Sequence, residues 1–176
     1  VGLPGGYGFY GVADILSGEA NPSGHLTDTY AVTNANSPAA QNFGNYEWIN
    51  ADPTVNINAE EVEAEGIYTG YKYYETRYAD TVLGQGNASD KTGSSNGKAW
   101  NYEDEVSYPF GYGLSYTTFS QTLDSLDVNL EDKTVTAKVT VKNTGDVAGK
   151  DVVQLYTSLP YTEYDKEHAV EKAAVQ

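Results

Sequence analysis

Cysteine and methionine are both missing from this 176-residue chain. Without a thiol there is no disulfide framework, no thiolate zinc site and no cysteine nucleophile. Cationic residues are scarce and unevenly spread. Val1 to Tyr71 holds no lysine or arginine, and all ten basic residues lie from Lys72 onward. Against 25 acidic residues this leaves a net charge of −15, which argues against a nucleic-acid partner and against anionic membrane surfaces. The like charges never form a block long enough to read as an acidic tail. The two histidines, His25 and His168, stand far apart without ligand-like neighbours, so no metal site is predicted. No apolar run approaches the roughly 20 residues that span a bilayer, and no membrane insertion is expected in this segment. The chain opens at Val1 inside what reads as a motif and is expected to be a segment of a longer protein. A missing leader therefore carries no information, and the sequence leaves the compartment open between secreted or cell-surface and cytoplasmic.

What is abundant is tyrosine, sixteen residues against four phenylalanines. Rings with a polar handle suit sugar-facing surfaces and wet β-rich cores alike. The least generic run is Tyr108-Pro-Phe-Gly-Tyr-Gly-Leu-Ser-Tyr-Thr-Thr-Phe119. Gly111 and Gly113 permit backbone angles that other residues avoid. Tyr108, Phe110, Tyr112, Tyr116 and Phe119 are expected to bury between packed neighbours, and Thr117-Thr118 leads into a strand. The run reads as a strap joining two domains.

Upstream, Phe9, Val12, Ala13 and Leu16 fall on one helical face, with Gly18 placed for a C-terminal cap and Asn21-Pro-Ser-Gly24 as a turn. The glycines before this helix fit neither dinucleotide nor P-loop spacing. Residues 26–58 predict a long irregular connection, clamped by Phe43, Tyr46 and Trp48. Glu60, Glu61, Glu63 and Glu65 invite a general acid/base reading, but neighbouring glutamates do not by themselves flank a scissile bond. The first three fit a solvated acidic face, and Glu65 suits a charge-assisted contact to Lys72 or Arg77. Residues 79–102, rich in Gly, Ser and Asn, predict a flexible surface insertion. Its Asn87-Ala-Ser89 acceptor pattern carries no functional weight, and Trp100 serves most simply to pack the insertion down. Period-two alternation follows: Leu126, Val128 and Leu130, a turn at Glu131-Asp-Lys133, then Val135, Ala137, Val139 and Val141. Asn143-Thr-Gly145 is a second turn, and Val153 and Leu155 extend a third strand. Three or four strands are too few to close a sandwich of about seven.

Four of these runs, in order, resemble family-three glycoside hydrolases, the group that includes β-glucosidases, β-xylosidases and β-N-acetylglucosaminidases. The first matches at Pro4-Gly5, Ala13-Asp-Ile-Leu16, Gly18, Asn21-Pro-Ser-Gly24 and Leu26. It departs at Leu3, His25 and Thr27, where tryptophan, a base and proline are usual. Glu65 to Tyr74 resembles a motif that forms a structural strand and turn in the family. Phe110 to Phe119 resembles the run closing the α/β sandwich domain. Lys138–Gly145 and Asp151–Tyr156 are similar to the first strands of a fibronectin-type-III-like domain. The resemblance implies an α/β fold followed by an all-β one, both incomplete. Residues 1–119 would be the last part of the sandwich domain, and 120–176 the first part of the β domain.

The resemblance further implies a parent that removes terminal β-linked sugars with retention. Its aspartate nucleophile would lie on a TIM barrel, and its acid/base glutamate in the sandwich domain upstream of Pro4-Gly5. No residue of this chain is carried over as catalytic, no cofactor is implied, and the isolated chain is expected to be inactive. Its partners would be a β-linked oligosaccharide or glycoside, met through the parent, and the rest of that parent. Trp48, Trp100 and Tyr102 are the candidates for contacting sugar. A non-catalytic carbohydrate-binding or cell-surface β-sandwich module is the alternative.

Overall fold

The computed structural model describes residues 5–44, 51–52, 54, 63 and 65–176. In chain order the elements are α1 (Gly8–Ser17), β1 (Tyr30–Ala31), α2 (Tyr71–Thr81), α3 (Tyr102–Glu105), β2 (Val106–Tyr108), β3 (Phe119–Asn129), β4 (Thr134–Asn143) and α4 (Glu163–Glu167). The class is mixed α/β, with two separate two-stranded antiparallel sheets among the described residues, β1–β2 and β3–β4. The chain forms two compact units, each assembled from two stretches: residues 1–26 with 112–155, and 27–111 with 156–176. One crossing between them falls inside the aromatic strap, at Gly111, whose φ of +80° is left-handed and favours glycine. Among the described residues no helix is long and apolar enough to cross a membrane.

In the first unit α1 ends as its sequence predicts. Gly18 is left-handed (φ 83°) and its N–H donates to the Ile15 carbonyl at 3.1 Å. The predicted buried face is rotated: Val12 and Ile15 are half-buried, while Phe9 and Leu16 are 65% and 80% exposed. The apolar stripe from Phe9 to Leu16 is wider than the half-buried strip of Val12 and Ile15, so periodicity alone did not choose the inner edge.

Asn21, the first residue of the Asn-Pro-Ser-Gly turn, ties three stretches together. Its Oδ1 accepts the Tyr116 N–H at 2.8 Å and the Ser115 hydroxyl at 3.1 Å, and its Nδ2 donates to the Ala148 carbonyl at 3.0 Å. Tyr116 adds a bond from its hydroxyl to the Ile15 carbonyl at 2.7 Å. His25 and Gly113 form an antiparallel bridge. A Cβ on Gly113 would lie 2.7 Å from the Gly24 carbonyl oxygen, so this glycine is required by close approach of backbones. The strap's rings are less buried than their size suggests: Tyr108, Tyr112 and Tyr116 are 48%, 38% and 52% exposed.

Strands β3 and β4 pair as the alternation predicts, turning through Lys133 (φ 55°). The register shifts by one residue at Asp124, between the pairs Leu123–Val139 and Ser125–Lys138. That bulge changes the parity of β3 where its apolar residues change parity. Leu123, Leu126 and Val128 consequently share a face with Val135, Ala137, Val139 and Val141. The opposite face carries Thr122, Ser125, Asp127, Thr136, Lys138 and Thr140. Asn143 closes the second turn, its Oδ1 accepting the Gly145 N–H at 3.0 Å and the Thr117 hydroxyl at 2.7 Å. The expected third strand at Val153 and Leu155 does not form. The Gln121 carboxamide bonds the Val152 carbonyl (3.1 Å) and Asp151 (2.8 Å), a side-chain tether in place of a backbone ladder.

The second unit centres on Tyr74, Trp100 and Val106, flanked by Ala31, Tyr73 and Tyr102. Here the strand and turn implied for residues 65–74 is corrected: Gly66 and Gly70 make left-handed turns, and Tyr71 begins α2. Tyrosines favour strands in isolation, but Tyr74, Arg77 and Thr81 follow a helical period, and burial of Tyr74 and Arg77 overrides local preference. The 79–102 insertion is held rather than loose. Arg77, 3% exposed, donates from Nε to the Thr92 carbonyl (2.9 Å) and from Nη2 to the Ser89 carbonyl (3.0 Å), and it pairs with Asp80 at 2.9 Å. The Trp100 N–H closes the loop on the Asp90 carbonyl at 2.8 Å.

The 156–176 stretch lies against α2. The Ala174 N–H donates to Thr76 Oγ1 at 3.0 Å, the Lys172 N–H to the Tyr68 hydroxyl at 3.2 Å, and the Lys72 ammonium to Gln176 at 3.1 Å. Residues 26–44 are largely irregular, with 3-10 turns at Asn34–Asn36 and Pro38–Asn42. Phe43 is 90% exposed and clamps nothing among the described residues. Tyr46, Trp48, Glu60 and Glu61 lie outside the described residues.

Candidate functional site

Glu75, Tyr78 and Val82 follow at i, i+3 and i+7 and form one stripe along α2 and its C-terminal cap. Trp100, Asn101, Tyr102 and Glu103 come from the chain that enters α3. Together they line an open groove of about 540 Å³. Asn101 shapes the entry by capping α3, its Oδ1 accepting the Glu103 N–H at 2.9 Å.

Two of the residues singled out from sequence, Trp100 and Tyr102, thus meet in one place, and Trp48 lies outside the described residues. Trp100 is 3% exposed and packs the insertion into the core. Its ring lies edge-on to Tyr102 at 6.0 Å, with the Arg77 guanidinium 5.7 Å from its centroid. The indole N–H is buried without a hydrogen-bond partner among the described residues. Tyr102 is half-buried, edge-on to Tyr78 at 6.1 Å, and its hydroxyl donates to Glu75 Oε1 at 2.9 Å. Burial pushes the Tyr102 phenol well above its ordinary range, and the neighbouring Glu75 carboxylate pushes it further. The phenol therefore stays a proton donor at all physiological pH values. The groove offers carboxylates, an amide, a phenol and ring faces, a set suited to hydrogen-bonding a hydroxylated ligand.

Of the acidic run, Glu63 is exposed and Glu65 half-buried. The expected contact of Glu65 with Lys72 or Arg77 is replaced, since Arg77 pairs with Asp80 and Lys72 reaches Gln176. The nearer carboxylate won, because Asp80 sits one helical turn from Arg77. Sequence reasoning missed Glu75, Tyr78 and Glu105. Glu105 is 5% exposed, and its Oε1 accepts the Ser95 N–H at 2.7 Å and the Ser95 hydroxyl at 2.9 Å, fixing the far limb of the insertion. The helical spacing of Glu75 and Tyr78 was the signal available.

In the first unit His25 Nε2 is 3.9 Å from Asp151 Oδ1, and in the second His168 stacks on Tyr164 at 4.0 Å. Nδ1 of each ring faces a backbone carbonyl, that of Ser23 at 3.2 Å and that of Tyr164 at 2.9 Å.

No family model matches the chain. It is 34% identical over 156 residues to probable beta-glucosidase H of Aspergillus flavus, covering 87% of this chain and 14% of that protein. It is 32% identical over 149 residues to thermostable beta-glucosidase B of Acetivibrio thermocellus, covering 82% and 15%. Among solved structures, a beta-glucosidase from Paenibacillus barengoltzii superposes with a TM-score of 0.62 at 30% identity, covering 96% of this chain and 14% of that one. The chain spans about one-seventh of the length of the relatives it matches.

Proposed function

We propose, from a chain that belongs over this segment with the β-glucosidases of glycoside hydrolase family three, that its parent is a retaining, exo-acting β-glycosidase hydrolysing terminal β-linked sugars. The observation that carries this reading is the superposition on the Paenibacillus beta-glucosidase, which takes in 96% of the chain at 30% identity. In this reading the segment supports the catalytic parts of the parent and shapes the rim through the Trp100–Tyr102 groove. It supplies neither the nucleophile nor the acid/base group. Residues 1–119 end the sandwich domain and 120–176 begin the fibronectin-type-III-like one. The apolar face of the β3–β4 hairpin supports that second assignment, since a sandwich needs one such face per sheet.

The test is hydrolysis of p-nitrophenyl β-glucoside by the full-length parent and, separately, by this chain, with the anomer of the first-formed sugar followed by NMR. Release of β-glucose by the parent, with none from the chain, is the expected result. Hydrolysis by the isolated chain, or an inverted product from the parent, would overturn it. Sugar binding by a parent that hydrolyses no glycoside would favour the carbohydrate-binding module.

A further inference from the structure

A second stripe of α2, Tyr73, Thr76, Arg77 and Asp80 at i, i+3, i+4 and i+7, lines a different space from the groove. This is a cavity of about 230 Å³ in the second unit, walled on one side by α2 and the 85–92 loop and on the other by the C-terminal stretch through Leu159, Tyr161 and Lys172. A cavity of about 150 Å³ is enough to hold a benzene ring, so this space is on the scale of one six-membered ring rather than an oligomer.

Three phenol rings, Tyr68, Tyr73 and Tyr161, form much of the lining. Two of the three hydroxyls are directed to structural tasks: Tyr68 accepts the Lys172 N–H, and Tyr161 donates to the Val170 carbonyl at 3.1 Å. The rings therefore present mainly apolar surface. The charges at the wall are neutralised in place, Arg77 by Asp80 at 2.9 Å and Lys172 by Asp165 at 2.6 Å. An ionic ligand would have to break one of these pairs, which is costly in a half-buried site. At the rim, the carboxamides of Gln85 and Asn87 make no hydrogen bond among the described residues and can both donate and accept.

We propose that this cavity binds a single uncharged sugar ring, its C–H face against the tyrosines and its hydroxyls on Gln85 and Asn87. The combination of apolar walls with a few directional polar groups is that of small-molecule sites generally. The choice of glucose as the ring rests on the proposed β-glucosidase reading, whereas the ligand class rests on the cavity alone.

The test is an NMR titration of the isotope-labelled chain with glucose, with cellobiose, and with glucuronate as the charged counterpart. The expected result is saturable shifts of the Gln85 and Asn87 side-chain amides and of the residue 172 backbone amide with glucose. Cellobiose and glucuronate should bind at least tenfold more weakly. Two variants keep the outcome readable. Gln85→Ala removes a rim contact, and Ala88→Phe fills the space from an exposed position; each should weaken glucose at least tenfold while leaving the remaining spectrum in place. Absence of saturable shifts, equal binding of glucuronate, or binding unchanged by Ala88→Phe would overturn the proposal. Parent hydrolysis of p-nitrophenyl β-glucoside is scored separately. A hydrolysing parent with a silent cavity removes this inference alone, and a binding cavity with an inert parent removes the β-glucosidase reading alone.

Discussion

Replacing Arg77 with methionine should be among the most damaging single changes in the second unit. Arg77 is 3% exposed and reaches three partners by short bonds, the Asp80 carboxylate and the Thr92 and Ser89 carbonyls. Methionine keeps most of the side-chain volume, so the cavity cost is small and the electrostatic loss dominates. Removing one partner of a buried pair leaves the other charge uncompensated, at about 3–5 kcal/mol. That is a large share of the roughly 5–15 kcal/mol by which a domain is stable. Arg77→Lys keeps the charge beside Asp80 but loses the fork that reaches both carbonyls, and should cost about 1–3 kcal/mol. Asp80→Asn added to Arg77→Met should restore about 1–3 kcal/mol, because the stranded carboxylate is gone. Urea unfolding followed by Trp100 fluorescence in a Trp48→Phe background gives these three values, with Asp80→Asn alone completing the cycle, and exchange of the Trp100 amide reports the loop directly. A cost below about 1 kcal/mol for Arg77→Met, or strict additivity with Asp80→Asn, would refute the claim that this guanidinium holds the insertion.

Asn21→Ala should destabilise the first unit by about 1.5–4.5 kcal/mol, three hydrogen bonds at about 0.5–1.5 kcal/mol each, and should speed exchange of the Tyr116 amide; unchanged exchange there would count against the hub. In the second unit, the Lys172 ammonium, then the Thr162 N–H and hydroxyl, lower the Asp165 carboxyl from 3.8 to about 2. A depressed acid stabilises the fold fully above its ordinary value and loses that contribution as pH falls through the lowered one. Protection of the 157–176 amides should therefore drop between about pH 4 and 2, and Asp165→Asn should flatten that dependence. Burial raises the Tyr74 phenol to about 12 and the Tyr102 phenol further, so their stabilising share is complete below pH 10 and disappears as pH climbs through the raised values. Spectrophotometric titration should show these two lagging the main tyrosine class until the unit unfolds; a single class near 10 would contradict the packing.

Local rules written in turn and cap chemistry were legible. Gly18 as a helix cap, the hairpin turn at Lys133 and the Asn143-Thr-Gly145 turn all stand where the residues require them. The strand pattern around Leu126 and Val135 was legible too, because alternation has no competing period there. What sequence could not settle was anything decided by distant partners. Tyr71–Thr81 is rich in strand-favouring rings, and only burial of Tyr74 and Arg77 makes it a helix. The insertion looked loose by composition because its anchor, Arg77, lies outside the glycine-rich run it holds. Of the groove, Trp100 and Tyr102 were visible as large rings. Glu75 and Tyr78 were hidden by the same misreading of α2.

The extra residue at Asp124 also changes how the hairpin responds to perturbation. Between Leu123 and Leu126 the number of residues counts for more than their identity. A point substitution there leaves the sheet two-sided, whereas deleting one residue would throw Leu126 and Val128 among the threonines and lysines of the other face. The same parity leaves a continuous apolar strip beside open strand edges, with Leu123, Leu126 and Val128 each more than half exposed. Such a surface is a template for strand addition by neighbouring chains. Purified away from a covering layer, this segment should self-associate through its hairpin as concentration rises, and a lysine at Leu126 should keep it dispersed.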